Sequence, residues 1–340
     1  MADTTSPPTI SVVVNNYNYA QFLVEALDNA LSQLREGDEL VVVDDGSTDD
    51  SRDILRSYEG SPGVRVIRQE NQGQMKAVRT GIEAARGDIL ALLDSDDYYL
   101  PGYLDRVRDI FAARPEISVV FTGPEVSGPD ADSVRTNRDV LDRMELPPGD
   151  VGTTRWATAL FYEFVGVPTS GNAIRGELAK KIISLPGEVD KTQEIDPLRV
   201  KILGLSESDA KKFGFSADGV LVRVSSLLGA RKYYEQERGW VYRIHGGNKY
   251  AQVRKLGRLY LRNKLRKTLL TLSSDHFGLT MRPTARELRE EVLGRSFGLR
   301  PRRNLHIRAR YCLASVTARG TLRERLGALA AAAGLVRGAR

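Results

Sequence analysis

Three carboxylates within four positions, Asp94-Ser95-Asp96-Asp97, follow directly on the apolar run Ile89-Leu-Ala-Leu-Leu93, and Pro101 closes the segment. A short apolar run bounded in this way reads as a strand buried on both faces, with the acids emerging at its carboxyl end. In an open α/β sheet that edge is where ligands bind. Carboxylates packed so closely repel one another, and their pKa values rise unless a cation sits between them. A hard divalent ion such as Mg2+ or Mn2+, held by one or two carboxylates together with substrate phosphate oxygens, resolves that repulsion. The competing reading makes Asp96 or Asp97 the cap of a helix that Pro101 begins.

The elements that must position these acids follow from hydrophobic period. Residues 9–14 (TISVVV) form a β-branched run broken by Asn15-Asn16-Tyr17-Asn18-Tyr19, and Phe22, Leu23, Ala26, Leu27, Ala30, Leu31 and Leu34 then recur at helical spacing. A second buried strand, 40–43, also runs into acids, Asp44-Asp45-Gly46-Ser47-Thr48-Asp49, where Ser47 or Thr48 can cap the next helix. A third strand (64–67), a helix (75–85) and the strand at 89–93 complete the series. Strands alternating with helices imply right-handed crossovers and a mainly parallel sheet. Asn15 and Tyr17, Asp44 to Ser47, and Asp94 to Asp97 then share one edge, and one polar crevice results.

Further along, Leu104, Val107, Ile110 and Phe111 mark an amphipathic helix before a strand at 117–121. Residues 123–150 read as a long surface connection and 152–164 as helical. Pro168-Thr-Ser-Gly-Asn172 turns into Ala173-Ile174, a helix follows at 176–183, and 186–216 has weak periodicity. Ala217-Asp218-Gly219 opens an apolar helix, and residues 241–245 form a strand meeting a Gly-Gly turn. A last, alanine-rich helix at 322–336 carries Leu322, Leu326 and Leu329 on one side.

At 340 residues, 41% hydrophobic and 28% charged, the chain has the composition of a globular protein with one large α/β domain and an appendage, or two domains. No apolar run approaches the roughly eighteen residues of a spanning helix. Residues 1–8 lack the basic and apolar regions of a signal peptide, and the one cysteine, Cys312, fits a reducing compartment, so a cytoplasmic location is expected. The net charge of +6 is unevenly divided: residues 251–340 hold 21 Lys and Arg against 5 acids, leaving −10 for residues 1–250. A basic tail suits an anionic partner, and the acidic remainder argues against nucleic acid. Neither G-x-G-x-x-G nor G-x-x-x-x-G-K-[ST] occurs, so phosphate charge must be met by a metal and by scattered Lys or Arg. No Cys and His cluster can build a zinc site.

Ser11-Val-Val-Val-Asn-Asn-Tyr17-Asn18, Val43-Asp44-Asp45-Gly46-Ser47-Thr48-Asp49, Asn71-Gln-Gly73, Ala84-Ala-Arg-Gly87-Asp88 and Leu93-Asp94-Ser95-Asp96-Asp97, in this order and spacing, resemble family-2 glycosyltransferases of the GT-A fold. The resemblance covers residues 9–122 and extends more loosely through 168–172, 217–219 and 242–248. It implies a Rossmann-like, mainly parallel sheet flanked by helices with a helical C-terminal extension. Residues 1–122 would be the nucleotide-sugar-binding half, 123–248 the acceptor-binding half, and 249–340 the basic extension.

The implied activity is hexosyl transfer, with inversion and metal assistance, from a nucleotide-diphospho-sugar to a glycan, lipid-linked or small-molecule hydroxyl acceptor in bacterial cell-surface polysaccharide or glycoconjugate assembly. By the resemblance Asp45 accepts from the base imide, Tyr17 stacks near the base, and Asn15 offers its backbone. Asp94, with Ser95 beside it, meets ribose or metal. Asp96 binds Mg2+ or Mn2+, and His245 completes the metal or diphosphate site. Asp218 stands where the family places its catalytic acid residue, with Glu194 and Asp196 as rivals. Lys76 and Arg79 could touch the diphosphate, but relatives carry Arg where this chain has Val78, so Arg79 reads as part of a solvated helix face. Plainer alternatives are a turn or cap aspartate for Asp45, an N-cap for Asp218 and a packed histidine for His245.

Two other functions compete. A nucleotidyltransferase would want a glycine-rich, basic loop after the first strand, which residues 15–19 lack, and a catalytically silent nucleotide-sugar module would bind without turnover. The tail docks on an anionic membrane surface at the inner face of the cell membrane, or packs as a solvated extension, or builds a homo-oligomer.

Overall fold

The computed structural model describes residues 7–129, 146, 148–190, 215–245, 255–294 and 301–335. Four parallel strands lead the chain: β1 (Ile10–Asn16), β2 (Glu39–Asp44), β3 (Val64–Arg68) and β4 (Ile89–Asp94), with α1 (Ala20–Leu31), α2 (Ser51–Arg56) and α3 (Gln74–Ala84) between them. After β5 (Tyr98–Tyr99) come α4 (Tyr103–Ala113), β6 (Val119–Ser127), β7 (Gly149–Thr153), α5 (Arg155–Phe161), β8 (Asn172–Arg175), α6 (Gly176–Ile183), α7 (Ala217–Leu227) and β9 (Arg231–Arg243). The helices α8 (Lys255–Phe277), α9 (Ala285–Gly294), α10 (Pro301–Thr317) and α11 (Leu322–Ala332) follow.

The nine strands form one mixed, mostly parallel sheet in the order β3-β2-β1-β4-β8-β6-β9-β5, with β7 on β9. Strand β8 is antiparallel to both β4 and β6, which restores the parallel sense of β6 and β9 beyond it. The period-2 rule divides the strand residues cleanly. Val13, Val41, Leu90 and Leu92 face a core built with α3, α6 and α7. Val12, Val14, Leu40, Val42, Ala91 and Leu93 face the opposite core with α1 and α4. Burial on both faces is why these strands read as continuous apolar runs.

The chain departs from the sequence reading in places that bear on the site. The strand expected at 241–245 begins ten residues earlier at Arg231, because Arg231-Lys-Tyr-Tyr-Glu-Gln-Glu-Arg238 is largely polar and shows no alternating apolar signal. Helix α4 starts at Tyr103 with Gly102 as its left-handed N-cap (φ 73°) and no side-chain cap, so neither Asp96 nor Asp97 caps it. Ser47 and Thr48 do not cap α2, whose N-cap position is Asp50. Arg79 does not lie on a solvated face: it is buried, and its guanidinium donates to the carbonyls of Ile183 and Leu185. Val78 is in the core.

The helical extension is fastened at two levels. Leu269 is buried in the core beside α3, α6 and α7, with Leu265, Leu272 and Phe277 packed against it. A separate cluster joins Trp156 and Ala157 of α5 to Leu288, Val292, Tyr311, Ala328 and Ala331. At its centre Glu291 is buried and accepts from the backbone N–H groups of Trp156 and Ala157, each at 2.9 Å, and from the Tyr311 hydroxyl. The first turn of α5 thus receives its cap from α9, 135 residues away.

Candidate active site

Sheet register brings the strand ends together. Asn15 of β1 pairs with Asp94 of β4, and Asn16 with Asp44 of β2. The buried Asn16 amide donates to Asp44 Oδ1 and to Ser47 Oγ, both at 3.1 Å. Asn18, at φ 58°, accepts from the Thr48 backbone N–H at 2.7 Å, so the first two loops are tied to each other. Tyr17, between them, is 38% exposed at the crevice rim.

Asp45 is enclosed by donors. Its Oδ1 accepts from Gln69 Nε2 at 2.7 Å and the Gln72 N–H at 2.9 Å, and its Oδ2 accepts from the Gly73 N–H at 2.8 Å. Gly46 makes this closure feasible. Its φ is +75°, and a Cβ there would lie 2.7 Å from the Asn71 backbone nitrogen. Asp45 is therefore the anchor of the 69–73 loop that leads into α3, and a base imide would meet a carboxylate already held in place by three donors. Lys76, half-buried, stands one turn into that helix.

The acids after β4 are arranged differently. Asp94 accepts from Gln74 Nε2 at 2.8 Å and is hydrogen-bonded by the Asn15 side chain. Asp97 accepts from Ser170 Oγ at 2.6 Å and from the Arg243 N–H at 3.1 Å. Asp96 Oδ2 lies 3.0 Å from His245 Nε2, and the Arg243 Nε donates to the Asp96 carbonyl at 3.0 Å. Ligand oxygens of Asp94, Asp96 and Asp97 all fall within 4.8 Å of one another. Burial first, and the Asp96 charge second, push the Asp94 carboxyl up to about 7, with Asp218 adding to the effect. Burial, Asp96 and Asp94 hold Asp97 well above the usual carboxylate range. Burial followed by the Asp96 and Asp94 charges also raises the Tyr19 phenol.

Asp218 thus belongs to the same electrostatic site, although it comes from α7. It is not the N-cap, because Ser216 Oγ accepts the Gly219 N–H at 3.2 Å and takes that role. Asp218 instead occupies the first turn, where the helix dipole favours its charge. Its rivals Glu194 and Asp196 lie outside the described residues.

Four residues that the sequence reading passed over complete the crevice. Gln74 orients Asp94, and Ser170 bridges the Asp94 backbone N–H (3.1 Å) to the Asp97 carboxylate. Arg243 clamps Asp96 and Asp97 while stacking over Phe22 at 4.8 Å and Tyr98 at 5.1 Å. Tyr19 meets the His245 ring edge-on at 5.3 Å, and Phe22 lies 4.8 Å from the same ring. Ser170 and Arg243 sit inside or beside motifs visible in the sequence; nothing local distinguishes Gln74 from a surface glutamine.

The fit of a divalent cation can be judged from this arrangement. Repelling carboxylates with raised pKa values seek positive charge. Asn15 Oδ1 and Ser95 Oγ are buried beside them without a hydrogen-bond partner, which a ligand atom or metal-bound water would satisfy. The residues suit a hard cation of the Mg2+ or Mn2+ type.

A mostly parallel sheet whose strand ends gather acids at one edge, continued by an antiparallel strand and a long returning strand, is the arrangement of a GT-A-type transferase. Residues 11–163 match the sequence profile described as "Glycosyl transferase family 2". An uncharacterized glycosyltransferase, alr2836, of Nostoc sp. is 32% identical over 248 residues, covering 72% of this chain and 67% of that protein. The chain belongs to glycosyltransferase family 2. Chondroitin synthase of Escherichia coli is 34% identical over 116 residues, and EpsH of Bacillus subtilis, a putative glycosyltransferase by name, is 38% identical over 101. The matched segments span 17% and 29% of those two relatives. Among solved structures, S. aureus TarS 1-349 in complex with UDP-GlcNAc superposes with a TM-score of 0.51 at 16% identity, over 96% of this chain and 91% of that one. That likeness extends the shared fold into the helical extension.

Proposed function

We propose that the protein transfers a hexosyl group from a UDP-sugar to a hydroxyl of a glycan or glycoconjugate acceptor, with inversion at the anomeric carbon. The observation that carries this reading is the convergence of Asp94, Asp96 and Asp97 at the carboxyl edge of the sheet, with Asp218 near enough for its charge to act on Asp94. The bound nucleotide in TarS and the polysaccharide named in chondroitin synthase support the donor and product classes. Cys312, the one cysteine in 340 residues, suits a reducing compartment, which supports a reaction on the cytoplasmic side.

Tyr17 stacks on the base at the rim, with Asp45 and the Asn15 backbone fixing its edge and the ribose entering beside Asp94. Asp96 and Asp94 would hold a Mg2+ or Mn2+ ion, with His245 completing its set, and when bound that ion supplies Lewis-acid stabilisation to the departing diphosphate. Gln74, Ser170 and Arg243 keep the acidic loop in register, so little reorganisation is needed as charge develops. Lys76, one turn into α3, adds positive charge toward the diphosphate. Asp218, across from the leaving group, accepts the acceptor hydroxyl proton as the new bond forms.

Thermal shift with UDP, GDP, dTDP and CMP sugars, with and without Mn2+, tests the donor assignment. Metal-dependent stabilisation by UDP-sugars alone is expected, and stabilisation by another nucleotide overturns it. For Asp218→Asn we expect unchanged donor affinity and transfer reduced about 10³-fold; near-normal turnover moves the base elsewhere.

A further inference from the structure

We propose that the outward face of α10 and α11 docks on an anionic lipid bilayer. Six of the eight large hydrophobic side chains exposed among the described residues lie on these helices or just past the end of α11: Leu305, Leu313, Val316, Leu322, Leu326 and Leu335. They are ordered, not scattered. On α10, Leu305, Ala309, Leu313 and Val316 recur at four, four and three residues and form one aliphatic stripe opposite the buried Tyr311, Ser315 and Ala318. On α11 it is the alanines, Ala328, Ala331 and Ala332, that pack inward. The stripe of Leu322 (74% exposed) and Leu326 (55% exposed) points away from them and forms this helix's outer side. Small alanines allow α9, α10 and α11 to pack closely, and the large side chains are left outside.

Charge selects the occupant. Residues 301–340 hold nine arginines against one acid, Glu324. On α11, Arg323 and Arg325 fall on either side of the leucine stripe, and Arg319 is exposed in the turn before it. Aliphatic side chains flanked by long cationic ones are the pattern of a helix lying in a membrane interface, the guanidinium groups reaching lipid phosphates while the aliphatic stripe enters the acyl boundary. A second copy would bring two strongly cationic segments together, which like-charge repulsion opposes. A single-stranded nucleic acid would call for exposed aromatics as stacking platforms, and none of the six is aromatic. No helix among the described residues is long and apolar enough to cross a membrane, so the contact is peripheral. This inference concerns the extension and stands independently of the donor assignment.

Co-sedimentation of the full chain with phosphatidylcholine vesicles, and with vesicles in which phosphatidylglycerol replaces roughly a third of that lipid, tests it. Binding to the anionic vesicles alone is expected, weakening steeply as salt rises. Leu313→Glu with Leu322→Glu, and separately Arg323→Gln with Arg325→Gln, are expected to weaken it at least tenfold while circular dichroism and donor hydrolysis without vesicles stay unchanged. Equal binding to neutral vesicles, no vesicle binding, or undiminished binding by the Leu313→Glu, Leu322→Glu protein overturns the proposal. A dimer in light scattering that the same leucine variant dissociates, with no vesicle binding, assigns the face to a second copy instead.

Discussion

Two acidic strand ends lie side by side at one sheet edge, and they are finished in opposite ways. After β2, Asp45 is enclosed by donors from Gln69, Gln72 and Gly73, and Asp44 accepts from Asn16 and Ser47 on one oxygen. After β4, Asp94, Asp96 and Asp97 face one another, and burial first, with the neighbouring carboxylate charges second, raises Asp94 and Asp97. Asp45 uses its charge to hold the loop from which it would meet the base, and the β4 acids crowd one another in a way that suits a cation. Residue type and position along the strand are the same; what sets the β4 end apart is that three carboxylates with ligand oxygens within 4.8 Å of one another crowd a largely buried space, each donor set notwithstanding.

The sharpest test of this contrast is Asp96→Ala. It should lower transfer about 10³-fold and abolish metal-dependent stabilisation by donor, with the unfolding transition nearly unchanged; unchanged donor affinity removes Asp96 from the site. Asp45→Ala should lower stability as well as donor binding. Three hydrogen bonds to a charged group are lost, which costs about 3 kcal/mol and lowers the melting temperature by several degrees. An undiminished melting temperature would contradict its anchoring role.

A smaller effect is expected from pH in the absence of metal. The Asp94 carboxyl is raised from its ordinary value to about 7 in the folded protein, so the native state binds more protons than the unfolded chain between these limits. Stability contributed by this group therefore falls as pH rises through that window. In chelator, Asp94→Asn should be the more stable protein at pH 8 by on the order of 2 kcal/mol, and the difference should shrink at pH 5. Urea unfolding at the two pH values measures it, and a difference of opposite sign contradicts the repulsion. The smallest change is expected from Ser170→Ala, which removes one donor to Asp97 and costs about 1 kcal/mol. Its mark should be a weaker response to Mn2+ in thermal shift, which a purely structural serine would not show.

Much of the site was readable because local signals carried it. The alternation of apolar runs with helical stripes gave the parallel strands, and the acids at their ends predicted where the crevice lies. Asp218 entered through the family resemblance, because a polar residue at the start of an apolar helix reads equally well as a cap. Arg79 was misread because a helical wheel cannot show which neighbours arrive from elsewhere; Ile183 and Leu185, more than a hundred residues on, supply its carbonyl partners. The stripe on α10 escaped notice because the helix is apolar on both sides, Tyr311 and Ala318 inward and Leu313 and Val316 outward, so no single amphipathic face stands out.

What the sequence by itself determined was therefore periodic or contiguous: the crossovers, the mainly parallel sheet, the acidic tips and the basic tail. Those follow from side-chain burial at periods of 2 and 3.6, which need only near neighbours in the chain. Which carboxylates share a space, that Gln74, Ser170 and Arg243 hold them, and that Glu291 caps α5 from the far end of the protein were decided by the tertiary structure alone. Hydrogen-bond partners are selected by distance in space, and at these points residues up to about 150 positions apart lie within 3.1 Å.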